Sequence, residues 1–109
     1  MMYKEGKLVF YRPLYDYISS GFATIVGVEN TLPKTVYVLK GDLPYNVRYY
    51  EDCIMPAETK EKFIYDAFFI LYQNQRTVMA KTILDQKFSE SSLQRLSMRD
   101  FDLLKDKSI

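Results

Sequence analysis

The sequence predicts an α+β fold, a small antiparallel sheet or partly closed barrel over residues 7–54 covered by a short helical bundle over residues 57–107. Three observations carry this. All four glycines (Gly6, Gly21, Gly27, Gly41) and all four prolines (Pro13, Pro33, Pro44, Pro56) lie in the first 56 residues, leaving 53 residues from Ala57 to Ile109 with neither. Glycine and proline punctuate turns and are costly inside helices, so the first half reads as short strands and the second as helices. Apolar runs rich in β-branched and aromatic residues fill the first half, and helix-capping spacings recur in the second. Each half holds only about fifty residues, too few for a comfortable core of its own. No Ser/Gly-rich linker, repeat or low-complexity segment divides them, so residues 1–109 are expected to form a single domain.

Four strands are expected, at Leu8 to Tyr11, Phe22 to Val28, Thr35 to Leu39 and Asn46 to Glu51. Turn chemistry separates them: Ser19-Ser20-Gly21, then Asn30-Thr31-Leu32-Pro33, then Gly41-Asp42-Leu43-Pro44. Connections this short suit an antiparallel meander. In the second strand Phe22, Thr24, Val26 and Val28 would share one face and Ala23, Ile25 and Gly27 the other; both faces are largely apolar, which marks a central strand. In its order of short strands, with a Gly-Asp turn and a proline at the exit, the stretch from about Pro13 to Pro56 resembles the general run of SH3-like small barrels. That resemblance implies a sheet that curls toward closure.

The helical half begins where Pro56 suits a first helical turn, followed by the helix formers Ala57 to Lys62 with Glu58 and Glu61 near the positive end of the dipole. Phe63, Ala67, Ile70 and Leu71 then fall at helical spacing, with Ile64 and Phe68 widening the stripe. A helix unbroken from Ala57 to Gln86 would be about 45 Å long, too long for a compact chain of this size, so a turn or kink is expected near Asn74. A second helix from Thr77 to Gln86 would bury Val78, Met79, Thr82 and Ile83. Ser91 with Gln94, and Ser97 with Asp100, have capping-box spacing. Leu96 and Phe101 add a hydrophobic staple around the latter, predicting a last helix from Met98 to about Lys105.

Composition excludes much chemistry. There is no histidine, the usual general base near neutral pH and the commonest metal ligand, and only one cysteine, Cys53. Ser-His-Asp hydrolysis, Cys-His catalysis and thiolate metal cages are therefore excluded, and no cofactor or transition metal is expected. The lone cysteine fits a reducing, cytoplasmic setting. The N-terminus has no signal-peptide apolar core, and the longest apolar run, Ala67 to Tyr72, is far too short to cross a bilayer, so no membrane association is expected. Neither a P-loop nor a calcium-loop spacing is present. Glu51-Asp52 beside Cys53 reads as a turn or strand end rather than a proton-transfer site, and the neighbouring acids and Ile54-Met55 favour an inert thiol.

What remains is aromatic density. The chain has ten tyrosines and seven phenylalanines but no tryptophan, and eight of the tyrosines lie in the first half. The clusters Tyr11-Arg12-Pro13-Leu14-Tyr15-Asp16-Tyr17 and Tyr45-Asn46-Val47-Arg48-Tyr49-Tyr50 each combine aromatics with one arginine, the composition of an interface hot spot. The competing explanation is that alternate tyrosines pack inside a small barrel. Along a strand Tyr49 and Tyr50 point to opposite sides, so one can pack inward while the other faces outward with Arg48. The expected partner-binding residues are Tyr45, Arg48, Tyr49 and Tyr50, with Tyr15 and Tyr17 as an extension. The expected function is that of a non-catalytic protein-interaction module, a regulatory adaptor or subunit that binds another protein or itself as a homodimer. A small nucleic-acid-binding regulator is the alternative. It is disfavoured by a net charge of +1 and by six basic against six acidic residues in the first 56. The stretch Thr77 to Arg95 matches a helix-turn-helix poorly, because its turn lacks glycine and its second helix is barely one turn.

Overall fold

A computed structural model describes residues 3–12, 20–30, 34–42, 44–74, 93–94 and 96–107. The strands are β1 (Leu8–Tyr11), β2 (Gly21–Asn30), β3 (Thr35–Lys40), β4 (Val47–Tyr50) and β5 (Ile54–Pro56). A 3-10 turn, Glu51–Cys53, joins the last two, and the helices are α1 (Lys60–Gln73) and α2 (Met98–Asp106). All pairings are antiparallel, in the order β4-β3-β2-β1-β5. The first four strands form the expected meander with β2 at the centre.

β5 is the strand that periodicity missed. Three residues carry too little alternation to register, and Pro56 reads more naturally as a helix start. Here Pro56 pairs with Val9 at the sheet edge, and α1 begins later, at Lys60, with Thr59 as N-cap accepting from the Lys62 N–H at 3.1 Å. A proline with no N–H is tolerated on an edge strand, and a threonine three residues on satisfies an otherwise orphaned helix donor.

β4 and β5 are opposite edges of one sheet, four interstrand steps or about 19 Å apart if the sheet were flat. The 3-10 turn between them spans roughly 8 Å. The sheet must therefore curl. It does not close, since no ladder joins β4 to β5 among the described residues. Of the sheet and the partly closed barrel that the sequence left open, an open, curled sheet is what forms.

Curling gives the strands two buried sides. Val9, Ala23, Ile25, Tyr37, Leu39, Tyr49, Cys53 and Ile54 fill the concave side. Phe10, Phe22 and Met55, one residue out of phase on the same strands, meet Phe63, Ala67, Phe68 and Leu71 of α1 and Phe101 and Leu104 of α2. Phe10 is the hub of this second cluster, with ring centroids 4.9 Å from Phe63, 5.1 Å from Phe22 and 6.2 Å from Phe101.

One expected face assignment is corrected. The β2–β3 register runs from Ile25↔Leu39 to Gly27↔Val38, so Val26 is an extra, bulged residue. A bulge moves every later side chain to the other face. Val28 consequently opposes Tyr37 and packs on the concave cluster rather than on the side of Phe22.

The helix ends follow local chemistry. α1 stops at Asn74, whose side chain donates to the Ile70 carbonyl at 2.8 Å, which is where the sequence predicts a break. α2 is capped by the Ser97 hydroxyl, which accepts from the Asp100 N–H at 3.1 Å, and Leu96 and Phe101 are both buried in the helix-facing cluster. The expected helix over Thr77 to Gln86 and the Ser91 cap lie outside the described residues.

Candidate functional site

β4 sits at one edge of the sheet, and its four residues alternate as the pleat requires. Tyr49 opposes Tyr37 and is buried, only 5% exposed, on the concave side. Its phenol is raised above the ordinary tyrosine value by burial first, then by Tyr11, Cys53 and Tyr45. Arg48 and Tyr50 share the opposite, outward face, where their neighbours on β3 are Val38 and Val36. Tyr50 is 49% exposed and Tyr45, just before the strand, 62%.

The outward face is polar at its rim. Arg48 Nε donates to Glu29 Oε1 at 3.0 Å, and Lys34 Nζ lies 5.3 Å from the Tyr50 ring centroid while pairing with Asp52 at 3.7 Å. These pairs are solvent-exposed, so they orient side chains more than they stabilise the fold. Two cations and two acids on this rim are thus paired one to one. The surface therefore has a stacking platform without a net field.

Of the expected contact residues, the structure brings Tyr45, Arg48 and Tyr50 to the surface and places Tyr49 behind them as core. Tyr15 and Tyr17 lie outside the described residues. The 3-10 turn bears out the reading of Glu51-Asp52 as a turn. Cys53, the last residue of that turn, is buried, with Sγ 4.0 Å from Asp52 Oδ1. Burial alone would lower the Arg12 guanidinium. Its hydrogen bond to Cys53 and the charges of Asp102 and Asp52 more than offset that, so Arg12 is held above its ordinary value. Arg12 also reaches α2 through Asp102 at 3.3 Å, tying sheet to helix.

A second exposed aromatic set was missed. Tyr65, Phe69 and Tyr72 of α1 are all more than half exposed. Their i, i+4, i+7 spacing places them on one face of α1, separate from the buried Phe63, Ala67 and Leu71, and is the signal in the sequence that marks them. Among the described residues no group of three or more Cys, Asp or Glu side chains could hold a metal ion, and no helix is long and apolar enough to cross a membrane. A hollow of about 250 Å³ near Lys7 and the start of α1 holds Lys62, which already pairs with Glu58 at 3.4 Å and Asp66 at 4.0 Å. No family model, no curated protein and no solved structure matches this chain.

Proposed function

We propose that the protein is a non-catalytic interaction module, an adaptor or subunit that works by occupying a protein partner's surface through Tyr45, Arg48 and Tyr50. The observation that carries this is the outward pairing of Tyr50 and Arg48. A half-exposed tyrosine with Val36 across the ladder and Arg48 two residues before it on the same face offers a large apolar face with a polar tip, the chemistry of an interface anchor. The lack of histidine supports a non-catalytic role. A buried, unpaired cysteine supports a reducing, cytoplasmic setting. Nucleic acid is the weaker reading because Lys34 and Arg48, the cations beside the ring, are paired with Asp52 and Glu29, leaving little charge for phosphates.

Affinity capture with the full chain from source-cell lysate, followed by mass spectrometry, supplies a partner for the test. Tyr50→Ala and Arg48→Ala should each then weaken binding by more than about 1 kcal/mol, with circular dichroism and melting temperature unchanged. Added salt should leave the interaction largely intact, whereas a phosphate-driven complex would dissociate. Normal binding by both variants, or loss only through unfolding, removes this reading.

A further inference from the structure

An edge strand turns the N–H and C=O of every second residue away from its sheet, where another strand can take them up. β4 is such an edge. Among the described residues its backbone hydrogen bonds are those of the ladder to β3. The opposite edge is blunted: Ile54 and Met55 of β5 are buried, and Pro56 has no N–H to give.

The side chains of β4 select the strand that fits. In an antiparallel pair, residues directly opposite share a face. If β4 meets β4 of a second copy about a two-fold axis at Tyr49, Arg48 of each copy lies opposite Tyr50 of the other. Lys34 already stands over the Tyr50 ring, and the Glu29 carboxylate holds Arg48 at Nε, so the guanidinium plane can stack on the ring while keeping its ion pair. Other registers are poorer. An axis at Arg48 sets two guanidinium groups face to face, and an axis at Tyr50 sets Tyr49 against Glu51 of the 3-10 turn, leaving Tyr50 alone paired within β4. A shift by one residue would oppose inward and outward side chains.

We propose that the protein self-associates as a two-fold dimer through antiparallel β4–β4 pairing, with Arg48 of each copy stacked on Tyr50 of the other. This rests on the reading of Arg48 and Tyr50 as contact residues and identifies the partner as a second copy of the chain. The ladder joins only Arg48, Tyr49 and Tyr50 of each copy, so the association is concentration-dependent rather than obligate.

The test uses the full chain carrying Arg48→Cys or Tyr50→Cys, both at exposed positions and each checked by circular dichroism. Directly opposed positions bring Cα atoms to about 5 Å, within disulfide reach, whereas like positions are offset by two residues, about 7 Å along the strand, and fall outside it. Under mild oxidation, a mixture of the two variants should form covalent dimer several-fold faster than either variant alone. Sedimentation velocity of the unmodified chain should show mass rising toward a dimer with concentration, and Arg48→Glu should suppress that rise. Equal cross-linking in all three samples, or a chain that stays monomeric throughout, overturns the proposal. A monomeric chain that still needs Tyr50 and Arg48 to bind another protein overturns self-pairing alone; unchanged binding in that assay as well removes the contact-surface reading with it.

Discussion

Tyr49 shows how much depends on which side of a strand a residue takes. It and Tyr50 are the same amino acid, adjacent in sequence, yet one is core and the other surface because the pleat reverses direction at each residue. That difference has a pH consequence. Burial, reinforced by Tyr11, Cys53 and Tyr45, raises the Tyr49 phenol above its ordinary 10.0, and burial with Glu51 and Tyr37 does the same to Tyr3. Above about pH 10 the unfolded chain therefore releases phenolic protons that the folded chain still holds. The stability contributed by these groups is complete below pH 10 and is lost as pH rises through the raised folded values. Urea titrations between pH 9 and 11 should show stability falling, with a smaller fall in Tyr49→Phe; an identical slope in the variant would mean that Tyr49 ionises as it does when unfolded.

At the scale of elements, local grammar and tertiary demand agree most closely at α2. Ser97 caps the Asp100 N–H, Leu96 and Phe101 flank the cap as buried neighbours, and Lys105 lies in the last turn, where its Nζ also donates to the Glu51 carbonyl at 3.3 Å. Ser97→Ala should cost about 0.5–2 kcal/mol in urea unfolding with an unchanged denaturant slope. No loss would mean that the hydroxyl is dispensable to the helix. At the start of α1 the same local grammar yields to tertiary pairing. Pro56 and the helix formers after it suit a helix locally, but pairing Pro56 with Val9 completes the sheet edge, and Thr59 supplies a cap three residues later.

For the whole molecule, Phe10 is the residue on which both halves converge, with Phe22 beside it in the sheet, Phe63 on α1 and Phe101 on α2. Truncating it should cost about 3–5 kcal/mol, a large part of the roughly 5–15 kcal/mol that holds a domain together. Because one cluster spans sheet and helices, Phe10→Ala should lower a single transition, seen alike in far-ultraviolet circular dichroism and in tyrosine fluorescence. Two separated transitions would show that the halves unfold independently.

Gly and Pro placement, strand periodicity and the Ser97 cap are properties of neighbouring residues, and through them the sequence by itself determined the fold class, four of the five strands, the end of α1 at Asn74 and the whole of α2. It also determined that Tyr49 and Tyr50 face opposite ways. Tertiary structure decided the rest. Which of the two tyrosines is buried depends on what lies across the sheet, and Tyr49 goes inward because it opposes Tyr37 in the concave cluster. The face taken by Val28 depends on a bulge at Val26, which exists only as a mismatch in length between β2 and β3. β5 has three residues and no pattern of its own; it is a strand because the curl of the sheet brings it back to β1, where Met55 pairs with Phe10 from 45 residues away along the chain, a match settled by pairing rather than propensity. Arg12 likewise meets Asp102 across 90 residues, a contact that no local rule encodes.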